Sequence, residues 1–261
     1  MLAHQCCWLM RLPACVPFSA RRACTPAPPV YISRVHGLLK PILIRIYASI
    51  AVFFGVYFLM YCLTHSTWNK ERIYQRLISG NSQEQQTAAI DLVYYGAQGQ
   101  LVHALRSNSR GTRELVTNSL WELWSRAAGN RAYRLIQSSQ AAIERKDFLQ
   151  ALDTLNRVVK TYPRFAEGWN RRATLFWLLG QYDLAVADSA TVLSLNPDHF
   201  GAWQGMGLCQ FHLGKFSEAC RSIRAALRIN PHDESARNFL KQCEEINRRH
   251  APQRNFRGNL V

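Results

Sequence analysis

Residues able to do chemistry are present in this chain, but they are not grouped. Cys209, Cys220 and Cys243 are spaced by 11 and 23 residues, which fits neither a zinc site nor a dithiol redox motif. They read as small buried side chains of a reducing environment. None of the eight histidines pairs with another at metal-ligand spacing. His199, His212 and His232 read as turn or surface residues. Asp183, Asp188, Glu218 and Glu234 are scattered over helical segments and read as solvated rather than as an acid–base pair. A glycine-rich phosphate loop is missing, as is a strand–turn–helix nucleophile motif. The pattern implies no catalytic residues, no metal, no cofactor and no enzyme.

What the sequence does contain is a period. Pro163, Pro197 and Pro231 are 34 residues apart. Twelve positions before each stands an alanine (Ala151, Ala185, Ala219), and three before that an aromatic (Phe148, Tyr182, Phe216). Trp169 and Trp203 open the second and third copies, with Leu135 in that place in the first. The small residues Ala173 and Gly207 suit a close helix crossing, where a larger side chain overpacks. Gly180 and Gly214 suit the left-handed end of a helix, and the prolines close the next one. This pattern resembles the tetratricopeptide repeat (TPR), a helix–turn–helix unit of that length. It implies an all-α, right-handed solenoid of three repeats over residues 132–231. Residues 232–249 form an amphipathic capping helix with Ala236, Phe239, Leu240, Cys243 and Ile246 on its apolar side. Such a cap keeps the last repeat's core face out of water.

The resemblance also implies where a partner would sit. TPR grooves are lined by the first helix of each repeat, and the corresponding residues are Tyr133, Ile136 and Gln140, then Asn170, Thr174 and Trp177, then Gln204, Leu208 and Phe211. The lining is aromatic and amide-rich, suiting a peptide segment with apolar anchors. A lysine/asparagine/arginine clamp for acidic C-termini is not reproduced: Ile136 and Gln140, then Gly201 and Gly205, stand where a charged fork is needed.

Residues 1–38 carry Arg11, Arg21, Arg22 and Arg34 and no acid, and they resemble an organellar transit peptide, mitochondrial before chloroplast. The other reading is a basic tail with no address. Residues 42–64 follow as a transmembrane helix. Ile46–Leu63 is free of charge for 18 residues, about the length that crosses the hydrocarbon core, although a buried core helix has the same composition. Flanking charges nearly balance and leave the orientation open. Residues 65–128 resemble a degenerate HEAT-type helical region, with helices over Glu84–Tyr95, around Leu101–Leu105 and over Arg113–Arg126. The Leu-Trp-Glu-Leu-Trp run that ends it is expected to cap the first repeat. The combination resembles small bacterial TPR proteins and their plant organellar relatives. Residues 250–261 read as a solvated basic tail.

The formal charge of +15 invites nucleic acid as a partner. Six of the 32 Lys and Arg residues lie in residues 1–64, leaving 26 against all 17 acids, a surplus spread over ordinary helix faces. The reading that follows is a membrane-anchored TPR adaptor on an organellar membrane, holding a protein partner in its groove. An organellar RNA-associated repeat protein is the alternative.

Overall fold

The computed structural model describes residues 30–64 and 66–250, which divide into two units after Leu59. The first unit is most of α1 (Val30–Thr64), a 35-residue helix. Its Pro41–Thr64 portion, 24 residues of mean hydropathy 2.1, has no buried residue. At 1.5 Å per residue this portion is roughly 36 Å long, enough to cross a bilayer by length and composition. The transit-peptide reading falls mainly on residues outside those described. Of the residues it covers, 30–38 are helical and continuous with the apolar stretch. The helix runs through Pro41, which removes one intrahelical hydrogen bond without ending the helix.

In the second unit, four helices precede the repeats: α2 (Thr67–Ser79), α3 (Ser82–Tyr94), α4 (Gln98–Ala104) and α5 (Arg110–Arg126). Each start but that of α4 has a side-chain cap. Ser66 and Ser109 accept from backbone amides three residues on, and Asn81 with Glu84 forms a reciprocal capping box. Apolar residues at helical spacing, Ile73 and Leu77, Leu92, Leu101 and Leu105, Val116, Leu120 and Trp124, close one core. Of these helices, α2 had no sequence counterpart, because Ile73, Tyr74, Leu77 and Ile78, which pack on this core, stand in an otherwise polar segment.

The repeats follow as α6 (Gly129–Glu144) with α7 (Phe148–Thr161), α8 (Ala166–Leu178) with α9 (Tyr182–Leu195), and α10 (Phe200–His212) with α11 (Phe216–Ile229). The last helix, α12 (Glu234–His250), packs on α11. Among the described residues there are twelve helices and no strand.

The 34-residue period reappears as geometry. Gly180 and Gly214 have φ of 72° and 73°, and Lys146 holds φ 62° at the same place in the first repeat. Trp169 Nε1 donates to the Pro163 carbonyl at 2.9 Å, and Trp203 Nε1 donates to that of Pro197 at 3.0 Å. Each indole thus ties its repeat to the proline that closes the preceding one. The Leu135 side chain has no N–H to do the same. Ala151, Ala185 and Ala219 are buried at the crossings. A Cβ on Gly207 would meet Ile223 Cδ1 at 2.7 Å, which is why nothing larger stands there.

Candidate protein-binding groove

First helices α8 and α10 bring part of the expected groove together. Asn170, Thr174 and Trp177 from α8 and Gln204 and Leu208 from α10 line one cavity of about 280 Å³. Ala173, Ser189 from α9, Gly201, Gly205 and Cys209 complete its wall, together with Trp121 from α5. No lining residue is charged. Burial pushes the Cys209 thiol up to about 11, so this wall stays neutral at physiological pH. Gly205 leaves the cavity open, since a Cβ there would meet nothing within 4 Å. Gln204 is held by its amide, which donates to Asp233 Oδ2 at 2.6 Å.

Four expected groove residues lie elsewhere. Ile136 is fully buried among Ala132, Val158 and Phe165, packed inside its repeat rather than facing a groove. Tyr133 lies under the Arg126 guanidinium, 4.4 Å from the ring centre. Gln140 donates to Glu144 on its own helix. Phe211 packs against Phe216 and Phe239, where the cap meets the third repeat. Counting positions assigns a side chain to a helix face, but not to the depth at which a neighbouring helix covers it.

Trp121 was not among the expected lining residues. Helix α5 does pack on α6, as expected of a cap, but it also packs on α8 and carries its tryptophans to the start of the third repeat. Trp121 and Trp124 both contact Phe200, with ring centres 5.6 and 5.4 Å apart. A Cβ on Gly201 would stand 2.5 Å from Trp121 Cη2. A glycine as the second residue of an apolar helix was the one sequence signal of this approach.

Beneath the cavity lies a buried polar joint. His199 caps α10: its Nδ1 accepts from the Ala202 amide at 3.0 Å, which leaves Nε2–H to donate to Glu167 Oε2 at 3.1 Å. Glu167 also accepts from Asn170 Nδ2 at 3.1 Å and from Arg171 Nε at 2.5 Å. The imidazole stacks on Trp124 with ring centres 4.2 Å apart, and Trp124 Nε1 donates to Gln98 Oε1 at 2.7 Å. His199 is therefore a turn residue, as expected, but a fully buried one. Asp188, expected to be solvated, is also buried. It accepts both arms of Arg172, at 2.7 and 2.9 Å, across the second repeat. Among the described residues no three His, Cys, Asp or Glu side chains stand close enough to hold a metal ion.

Family models described as tetratricopeptide repeat match residues 137–191 and 200–233. The three helix pairs are tetratricopeptide repeats. A TPR repeat-containing protein of Rhizobium etli is 32% identical over 130 residues, covering 50% of this chain and 64% of that one. A Protein SGT1 homolog of Bos taurus is 31% identical over 114 residues, covering 44% of this chain and 34% of that one. The chain thus spans less than two thirds of either relative. Among solved structures, the first TPR of Spaghetti (RPAP3) bound to an HSP90 peptide is 20% identical with a TM-score of 0.42. It covers 43% of this chain and 89% of that one. The Arabidopsis OM64 TPR domain is 21% identical with a TM-score of 0.41, covering 42% of this chain and 92% of that one.

Proposed function

We propose that this chain is a non-enzymatic TPR adaptor that docks an uncharged, apolar-anchored peptide segment of a partner protein between Trp121 and Trp177. The observation that carries this is the cavity itself. Two indoles flank a hollow of about 280 Å³ lined with amides, hydroxyls and small residues and no charge. Such a site desolvates one apolar side chain at little polar cost and offers Asn170 and Gln204 to the backbone on either side. TPR relatives support an adaptor role. One, the Hsp70-Hsp90 organizing protein of Triticum aestivum, is by its name an organiser of two chaperones, and it is 21% identical over 106 residues. A terminal dicarboxylate does not fit here, because no Lys or Arg lines the cavity and Arg171 is engaged by Glu167.

In this reading α2–α5 are a HEAT-like module and Pro41–Thr64 anchors the adaptor in an organellar membrane, mitochondrial before plastid. Anchoring raises the effective concentration of the partner at that surface. Carbonate extraction with protease protection tests the anchor, and release of the full chain into the supernatant refutes it. The groove is tested by selecting binders from a peptide library on the wild type and on Gly205→Leu, which fills the cavity where nothing opposes a side chain. The expected outcome is a set of peptides sharing an internal apolar residue and lost in G205L at unchanged helicity. Selection of acidic C-termini only, or an identical set on both proteins, overturns the reading. An RNA-binding role would instead show as RNA retention falling steeply with salt.

A further inference from the structure

Cys220 and Cys243 are two reduced cysteines that this fold holds in contact. Cys220 sits on α11 and Cys243 on α12, and their Sγ atoms are 2.8 Å apart. Both residues are buried, Cys220 at 2% and Cys243 at 0% exposure. The repeat pattern does not call for either. At the position of Cys220 the first two repeats carry Leu152 and Val186, ordinary packing residues. The third repeat departs from that choice only where α12 lies against it and presents a second cysteine. The surrounding contacts are those of a docked cap: Ala219, Phe211 and Leu240 pack around the two sulfurs. Ser217 Oγ donates to Asn247 Oδ1 at 2.8 Å, and Arg224 pairs with Glu244 at 2.6 Å. Cys209, by contrast, faces the groove cavity.

We propose that Cys220 and Cys243 are a disulfide site that staples the capping helix to the third repeat when a disulfide oxidant is present. The atoms need close by less than 1 Å to reach the roughly 2.05 Å of a disulfide bond. The oxidant is a disulfide R–S–S–R, either small or a protein dithiol in its oxidised form. One cysteine thiolate attacks it, forming a mixed disulfide and releasing RS⁻. The second cysteine thiolate then displaces the remaining RS⁻. Two electrons pass to the oxidant, and the two protons lost by the cysteines end on the two thiols released. Burial and the neighbouring thiol push Cys243 up to about 12, so in the docked cap this cysteine stays a thiol at neutral pH, and both sulfurs are shut away from an oxidant by their burial. Oxidation runs through openings of α12, the last of the described helices and packed chiefly on α11, which bring the sulfurs to water. The redox step is thereby slow, gated by the cap, and self-locking once complete. It does not depend on what the groove binds.

The test uses the full chain in detergent micelles, treated with glutathione disulfide or with dithiothreitol, then alkylated, digested and analysed by mass spectrometry. The expected product is one linked peptide joining Cys220 to Cys243, two hydrogens lighter than the reduced pair, with Cys209 recovered as its alkyl adduct. The thermal midpoint should rise by about 5–10 °C on oxidation and return with dithiothreitol, from the loop the bridge closes and the chain's size. Cys243→Ser should lose both effects. The double variant Cys220→Ala with Cys243→Ala should melt somewhat below the reduced wild type, from the small cavity it leaves, but at one midpoint with or without the oxidant, separating a missing staple from a failure to fold. Three results overturn the proposal. One is recovery of both cysteines as adducts after oxidation a few degrees below the midpoint. Another is equal bridging to Cys62 or Cys209, and the third is a linked pair with no rise in midpoint.

Discussion

Replacing Gly201 with alanine places a methyl group 2.5 Å from Trp121 Cη2 and 3.0 Å from Cζ2. That ring is packed against Trp124, His199 and Phe200 at centre distances of 5.3, 5.3 and 5.6 Å, contacts it must give up to move aside. Overpacking of this kind costs about 1–3 kcal/mol. Alanine returns up to about 1 kcal/mol of helix propensity in a helix interior, and less at the second residue of α10. The net expectation is a loss of about 1–2 kcal/mol, a fall in thermal midpoint of about 3–6 °C. Gly205, one turn further along the same helix, is the control: its Cβ would meet nothing, so Gly205→Ala should gain about 0.5–1 kcal/mol. Denaturation of the full chain followed by circular dichroism at 222 nm reads both without depending on indole fluorescence. On a Trp121→Phe background, where the outer ring atoms are gone, Gly201→Ala should cost at least about 1 kcal/mol less than in the wild type. If the two alanines shift stability equally and in the same direction, α5 does not lie on the third repeat, and the cavity loses its Trp121 wall.

Three further outcomes follow from the same geometry. Lys146 pays the left-handed penalty that Gly180 and Gly214 avoid, so Lys146→Gly should raise stability by about 1 kcal/mol in chemical denaturation, and a loss would contradict its φ of 62°. Asp188→Ala leaves the part-buried Arg172 without its carboxylate and should cost about 2–3 kcal/mol, whereas an effect under about 0.5 kcal/mol would mean the pair is solvated. Burial holds the Cys209 thiol neutral up to about pH 11, against 9.0 ordinarily. The unfolded chain loses that proton first. The contribution is therefore intact below pH 9 and lost as pH rises from 9 through about 11. A stability–pH profile of Cys209→Ala should be flatter than the wild type over that window.

The repeats were legible because their chemistry is local. A glycine at the end of a helix, a proline closing the next and an alanine at the crossing each answer to constraints within one 34-residue unit, and Gly180, Pro197 and Ala185 stand where those constraints require. The cap was legible for the same reason, as an apolar stripe from Ala236 to Ile246. Of the nine residues expected to line a groove, Asn170, Thr174, Trp177, Gln204 and Leu208 line one cavity. What the sequence could not supply is how one helix lies on another far along the chain. Ile136 has the groove's position number but is covered by its own repeat, and His199 and Asp188 are polar yet buried because partners 32 and 16 residues away meet them. Cys220 and Cys243 were unremarkable at a spacing of 23, and only the packing of α12 on α11 sets their sulfurs side by side. Trp121 reaches Gly201, 80 positions further along the chain, and no periodicity encodes that contact. It arises from packing between distant helices: His199 and Phe200 at the start of α10 lie against both the Trp121 and Trp124 rings.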